Sequence, residues 1–200
     1  MRILVINETM PTVFGSIEQD GFDVKLHPSR DAPSMHLHSM IKETEMVFLF
    51  GNANEKRLFA DDVWHLLRNK QVLSVGRSLA LSELRDLLPL SKVSICSFYL
   101  SPQIDKALAV ISSDQTVSDQ DRQKVLAALK GCGDVLFLSD SVHGALDREL
   151  QKAIESLNEN IRSIQKGVAI DDDIFEYAIG WLLYGLGYSV IRGKPLGSAI

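Results

Sequence analysis

The chain has 200 residues, with 21 Lys and Arg against 26 Asp and Glu, a formal net charge of −5. That balance excludes a generic nucleic-acid binder, which presents a basic footprint. Hydrophobic residues at 46% and charged residues at 24% exclude wholesale disorder. Cys96 and Cys132 are the only cysteines, too few for a disulfide framework or a zinc quartet, so a cytoplasmic location is expected. Met1 to Ile6 lacks the pattern of a signal peptide. The longest uncharged stretch, Tyr177 to Ile191, falls short of the ~20 residues a membrane helix needs, so no membrane partner is expected.

Arg2 to Ile6 reads as a first buried strand. Met10, Val13, Phe14 and Ile17 follow at helical spacing with Pro11 near the first turn, and Gly21 closes that helix. Phe22 to Leu26 is a second strand, and His27 to Ser34, with two prolines, a loop. Met46 to Phe50 is a continuous apolar run, typical of a strand covered on both faces. Asn54 is expected to cap a helix that turns Leu58, Phe59, Leu66 and Leu67 inward. Val72 to Val75 is a strand, Ser78 to Leu88 a helix closed by Pro89, and Val93 to Cys96 and Ala107 to Ile111 are further strands. Ser118 and Asp121 resemble a capping box opening a helix through Lys130. Gly131 and Gly133 stop it, and Val135 to Leu138 is the last strand.

Strands alternating with helices imply βαβ units and a Rossmann-type, doubly wound parallel α/β sheet over residues 1–140. Beyond it, Leu146, Leu150, Ala153, Ile154, Leu157, Ile161 and Ile164 keep helical spacing, and the run from Ile174 to Leu186 repeats it. Residues 141–200 are therefore expected to form a helical dimerisation segment. Its apolar faces are too wide for one small domain to hide, and a homodimer through residues 145–191 is the expected partner arrangement.

Ligands of such sheets sit at the carboxyl ends of the strands, and the first βα turn would carry G-x-G-x-x-G in a dinucleotide site. Here the glycine places fall on Asn7, Thr9 and Thr12, with Glu8, Met10 and Pro11 between them. Asn7 tolerates a positive φ and can make the tight turn. Thr9 sets a Cβ where a pyrophosphate would approach, and Pro11 removes one N–H from the helix start. Each hydrogen bond lost to a charged group is worth roughly 1.5–3 kcal/mol, so binding of NADP or NAD is expected to be weak or lost.

The order of the segments Glu45–Gly51 (EMVFLFG), Gln71–Pro89 (QVLSVGRSLALSELRDLLP), Lys92–Pro102 (KVSICSFYLSP) and Ala107–Phe137 resembles the middle of pyrroline-5-carboxylate reductase. VSDQDRQKVLAALKGCGDVLFL is the most similar stretch, and Leu146 to Ile200 resembles the start of that family's helical dimerisation domain. The resemblance implies an NAD(P)H-dependent oxidoreductase that passes hydride to a C=N bond in proline synthesis. It implies a cofactor over the strand ends, touching Asn7, Thr9, Met10, Ser29, Arg30, Asn52, Gly76 and Ser97, and a substrate near Pro102. The departures are extensive. The family's P-N-t-P reads Phe98-Tyr99-Leu100-Ser101-Pro102, keeping only the last proline, and its S-G-S-G-P-A-Y falls near Glu155–Asn160 with no glycine or proline. A gapless alignment puts Gly193–Gly197 in the loop before the S-P-G-G-T-T motif, so that motif and the later helices are missing. No catalytic residue carries over, and no reduction of pyrroline-5-carboxylate itself is expected. The rival expectation is a non-catalytic Rossmann-fold homodimer with a binding or regulatory role, taking some other small molecule.

Other residues carry weaker signals. Arg30, beside Ser29 and His27, stands where a cation can hold a 2′-phosphate, although a solvated loop arginine is the simpler account. His36 and His38 could share a strand face, but no third ligand is placed, and Asp171-Asp172-Asp173 suits a helix start better than a metal. No metal site is expected. His143 is the histidine at the domain junction and a proton donor only if brought to the site; Cys96 reads as a buried small hydrophobe. Gly180, Gly185 and Gly187 suggest close helix packing. Without G-x-S-x-G, a hydrolase triad has no support.

Overall fold

The computed structural model describes residues 1–6, 21–27, 35–101, 106–167, 175, 179–180 and 183. It divides into two compact units, Met1–Ala145 and Leu146–Ile200. The first unit is built on a seven-stranded sheet. Its strands are β1 (Arg2–Ile6), β2 (Asp23–His27), β3 (Met46–Leu49), β4 (Gln71–Val75), β5 (Lys92–Ser101), β6 (Lys106–Ser113) and β7 (Gly133–Phe137). They lie in the order β2-β1-β3-β4-β5-β6-β7. The described helices are α1 (Met35–Glu43), α2 (Ala53–Val63), α3 (Leu81–Leu87), α4 (Asp119–Leu129) and α5 (Asp140–Gly167).

Period-two alternation divides the strand side chains between two buried layers. Leu4, Ile6, Val47, Leu49, Val72 and Ile95 pack with Ile41 of α1, Phe59 and Val63 of α2, and Leu84 of α3. Ile3, Val5, Phe48, Leu73, Val75 and Cys96 face the other way, against Val125, Ala128 and Leu129 of α4. Both faces are covered, which is why MVFL in β3 reads as unbroken hydrophobicity and is buried throughout. The Rossmann-type α/β class expected from the alternation is the one observed.

Four features depart from the sequence reading. First, β5 and β6 are antiparallel, with Ser97 opposite Val110, and β7 runs parallel to β6. The link from Ser101 to Lys106 is far too short for the crossover of a dozen or more residues that a parallel pair needs. Second, helix α1 occupies a segment in which no helix was expected, so His36 and His38 sit on a helix, not a strand or loop. His36 is exposed, and His38 packs edge-on to His65 with ring centroids 6.5 Å apart. Third, Asn52, not Asn54, caps α2. Its Oδ1 accepts the Asn54 and Glu55 N–H groups at 2.9 and 3.1 Å, while Glu55 accepts the Asn52 N–H at 2.8 Å. The cap needs an extended backbone, which Asn52 has and a residue inside the first turn cannot have. Fourth, the buried face of α2 is Lys56, Phe59, Ala60 and Val63, which leaves Leu58 outward, 66% exposed, while Phe59 and Leu67 are buried as expected.

Ser118 and Asp121 do form the expected capping box on α4. The expected helix carrying Met10, Val13, Phe14 and Ile17, most of the expected helix from Ile174 to Leu186, residues 28–34 of the expected loop and Asp171–Asp173 lie outside the described residues, as do Gly185 and Gly187. Helix α5 runs from the first unit into the second, with Val142, Leu150, Ile154, Leu157 and Ile164 exposed along it. Glu155 to Asn160 are all exposed helical residues. No described helix is long and apolar enough to cross a membrane.

Candidate functional site

From β1 the chain goes first to β2 on one side and later to β3 on the other. Such a reversal leaves a crevice at the carboxyl ends of the strands, where ligands of open α/β sheets bind. The turns after β3 and β4 reach this edge with glycine. Gly51 has φ 108° and Gly76 φ 73°, a region open to glycine at little cost. A Cβ placed on Gly76 would meet nothing within 4 Å, so bare backbone faces open space there. The Ser78 hydroxyl donates to Gly51 O at 3.3 Å and ties the two turns together.

Lys56 fixes the second turn from below. It is fully buried on the first turn of α2, and its Nζ donates to Val75 O at 2.7 Å and to Gly76 O at 3.5 Å. Burial lowers its pKa from 10.5 to about 8. A cation near a helix N-terminus is also opposed by the helix dipole. A lysine held at such cost serves the two carbonyls it reaches.

Beside this turn lies a polar chain that sequence reasoning passed over. Ser97 on β5 and Ser112 on β6 share the face of Ile95, by alternation from Cys96 and Ile111. His143, in the first turn of α5 and wholly buried, sits between them. Its Nε2 lies 2.9 Å from Ser97 Oγ and its Nδ1 3.0 Å from Ser112 Oγ. Ser112 Oγ donates to Asp140 Oδ1 at 3.2 Å, and Arg77 Nη2 donates to the same oxygen at 2.8 Å.

Counting protons along the chain gives it a direction. The Asp140 carboxylate can only accept, so it takes the single Ser112 hydroxyl proton. Ser112 Oγ is then left to accept Nδ1–H of His143. A neutral His143 therefore presents a bare Nε2 that accepts the Ser97 hydroxyl proton. Arg77 follows Gly76 directly, so the turn after β4 and the relay are anchored to one another. Asp140 and His143, three apart, share a helix face, the one hint the sequence held. The cross-strand partners belong to the hairpin that was not anticipated.

Of the residues singled out from sequence, the structure brings Asn52, Gly76 and Ser97 to this edge. Asn52 Oδ1 is occupied by the helix cap, and Ser97 is bonded to His143. Asn7, Thr9, Met10, Ser29, Arg30 and Pro102 lie outside the described residues. Cys96 is buried, as expected, and burial pushes its thiol well above the ordinary range. Among the described residues no group of three metal-binding side chains comes together.

Searches with protein-family models and among curated proteins find no match. Solved structures do match. A pyrroline-5-carboxylate reductase from Coxiella burnetii superposes with a TM-score of 0.72 at 10% identity, over 98% of this chain and 81% of the other. The NADP-bound pyrroline carboxylate reductase of Plasmodium falciparum gives 0.68 at 12% identity, over 96% and 79%. A semialdehyde dehydrogenase NAD-binding protein from Cupriavidus necator, in complex with calcium and NAD, gives 0.66 at 10% identity, over 99% and 87%. At these identities the likeness is one of fold: that of NAD(P)-binding reductases and dehydrogenases.

Proposed function

We propose that the chain is an NAD(P)H-dependent oxidoreductase of the pyrroline-5-carboxylate reductase kind that reduces a C=N bond and binds its dinucleotide weakly. The observation that carries this reading is the Ser97–His143–Ser112–Asp140 chain at the carboxyl edge of the sheet, buried from Ser97 to Ser112 and partly exposed at Asp140. At Gly76 bare backbone borders open space, so a ligand can approach the β4 turn closely. Gly76, Asn52 and Ser97 would line the ligand there, with the first βα turn completing the grip. A bound nicotinamide would supply hydride, and each hydride delivered to an imine needs one proton beside it.

The relay provides for that proton. With His143 protonated, Nε2–H donates to Ser97 Oγ and frees the Ser97 hydroxyl proton for a substrate atom. With His143 neutral, Ser97 donates inward and its lone pairs accept a proton, the direction needed for oxidation. Asp140, held by Arg77 at 2.8 Å, supports the imidazolium through Ser112. The substrate differs from pyrroline-5-carboxylate, because Phe98, Tyr99, Leu100 and Ser101 replace the family's residues before Pro102.

The test is titration of NADPH and NADH, followed by NADPH oxidation with a panel of cyclic imines that includes pyrroline-5-carboxylate. Two hydrogen bonds lost at the first turn amount to a hundredfold or more, so dissociation constants of about 0.1–10 mM are expected. Turnover is expected with at least one imine other than pyrroline-5-carboxylate. Failure to saturate with either nucleotide would overturn the reductase reading. A low-micromolar constant would overturn the reading of Thr9 and Pro11.

A further inference from the structure

An ion pair joins the turn after β4 to the start of α5. Arg77 is the residue after Gly76, and its Nη2 donates to Asp140 Oδ1 at 2.8 Å. The same oxygen accepts the Ser112 hydroxyl proton at 3.2 Å. Charge-assisted N–H···O bonds run ~2.7–2.9 Å and O–H···O bonds ~2.5–3.0 Å, so the first contact is at full strength and the second is stretched. Ser112 therefore does not hold Asp140 in place. The Asp140 side chain is 42% exposed, and water is the alternative partner for its carboxylate. The Arg77 guanidinium is what keeps that carboxylate on Ser112.

Arg77 is suited to that task. Gly76 N–H donates to Cys96 O at 2.8 Å and Lys56 Nζ donates to Val75 O at 2.7 Å, so the backbone that carries the guanidinium is pinned to β5 and to α2. The Arg77 side chain is 21% exposed, the least of the ion-paired arginines among the described residues, so water screens this pair less than the others. Beneath the pair, Ser112 and His143 are wholly buried and Ser97 nearly so. Each of these groups must find its hydrogen bonds within the chain Ser97–His143–Ser112–Asp140 or with other protein atoms, not with bulk water.

Such a chain can be ordered in two ways. A neutral imidazole carries its proton on one nitrogen, and the hydrogen bond made by the other decides which. If Ser112 donates to Asp140, it accepts Nδ1–H of His143, and Nε2 is left to accept from Ser97. If Ser112 turns and donates to Nδ1, the ring is protonated at Nε2 and donates to Ser97. Both orders satisfy the ring, so the ring does not choose between them. We propose that Arg77 is the positioning residue that chooses: by holding Asp140 on Ser112, it fixes neutral His143 as the Nδ1–H tautomer. The catalytic consequence rests on the reductase reading. In reduction the imidazolium gives up its Nε2 proton and ends on Nδ1–H, the tautomer Arg77 favours. In oxidation the bare Nε2 takes the Ser97 proton. A ring protonated at Nε2 accepts nothing from Ser97, and giving that proton away would leave an imidazolate in the interior. Arg77 thereby ties proton transfer to the turn that borders the crevice.

Ring-nitrogen NMR of the full chain labelled with nitrogen-15 histidine tests the assignment. The chain has five histidines, and the His143 signals are those lost in His143→Asn. Spectra are recorded under alkaline conditions, where an ordinary imidazole is neutral. Wild-type His143 is expected to be protonated at Nδ1. Arg77→Met is expected to raise the share of the Nε2–H form about tenfold or more. Asp140→Ala, at a partly exposed position, is expected to do the same and decides the matter if Arg77→Met does not fold. Lys56→Met disturbs the same turn without touching Asp140 and is expected to keep the Nδ1–H form. A wild type protonated at Nε2, an Nδ1–H form that persists in folded Arg77→Met or Asp140→Ala, or an equal change in Lys56→Met would overturn the proposal. With an imine that the wild type reduces, Arg77→Met is expected to lower kcat about tenfold or more while KM for NADPH stays within about twofold, and an unchanged kcat would overturn the catalytic part. A wild type that reduces no imine refutes the reductase reading alone, and the ring-nitrogen spectra still decide the role of Arg77.

Discussion

Lys56 links stability to pH in a direction opposite to that of most lysines. In the unfolded chain it releases its proton near 10.5; in the fold, burial brings that to about 8. Below pH 8 both states hold the proton, and the fold carries the whole cost of an ammonium group in the interior. Between the two values the unfolded chain holds a proton that the fold has released, so stability rises with pH. Above 10.5 the difference is gone. At ~1.4 kcal/mol per pH unit, the rise amounts to about 3 kcal/mol. The perturbation that isolates it is Lys56→Met, which keeps the volume and removes the titrating group. The variant also leaves Val75 O without its lysine donor, a pH-independent loss of about 1–3 kcal/mol. Urea unfolding of both proteins at intervals from pH 7 to pH 10.5 separates the two effects, because other groups that titrate in this range cancel in the difference. The wild type should gain about 3 kcal/mol on the variant across that window. A difference that stays flat to within ~0.5 kcal/mol would show that Lys56 is solvated in the fold and that its hold on the β4 turn is incidental.

The other expectations concern the relay, the glycines and the assembly. His143→Asn keeps a polar group in the cavity but cannot relay a proton; kcat should fall ~100-fold or more with NADPH affinity retained, and an unchanged kcat would remove the relay from the mechanism. Gly133→Ala drives a Cβ to 2.0 Å from Ala107 O in the neighbouring strand, so a loss above ~4 kcal/mol in urea unfolding is expected. Gly76→Ala meets no atom, and only its φ of 73° opposes a side chain; it should cost about 1–2 kcal/mol and weaken NADPH binding, and equal losses in the two variants would contradict the geometry. We further propose a homodimer through residues 145–191. Light scattering should give about twice 22.2 kDa, with Ile154→Asp shifting the mass toward one chain, and a wild-type monomer at micromolar concentration would refute it.

What the sequence made legible follows the range of the interactions involved. The strands β1, β3 and β4 are short apolar runs with both faces covered, and each announces itself without reference to any other segment. The Ser118–Asp121 box is equally local, three residues apart on one helix start. The α2 start was misplaced by two residues, because Asn52 and Asn54 are both good caps and only the backbone conformation distinguishes them. Helix α1 escaped because its nine residues, MHLHSMIKE, follow a proline-containing stretch that reads as loop.

The candidate site was the least legible part, for a physical reason. Ser97, Ser112 and His143 are far apart in sequence and meet only because β5 and β6 fold back as a hairpin and α5 begins over their shared face. A parallel reading of those strands puts Ser97 and Ser112 out of reach of one imidazole. The direction of pairing between two strands thus decides whether His143 is a solvated junction residue or the centre of a buried relay. That decision rests on the length of one link, Ser101 to Lys106, too short to cross the sheet. Lys56 escaped differently. Its position in the first turn of a helix looks like a solvent-facing lysine, but it falls on the same helix face as Phe59, Ala60 and Val63, which is the buried one. Lys56 and Leu58 lie about 200° apart around α2, so the face that buries the cation under the ligand crevice leaves the apolar side chain in water.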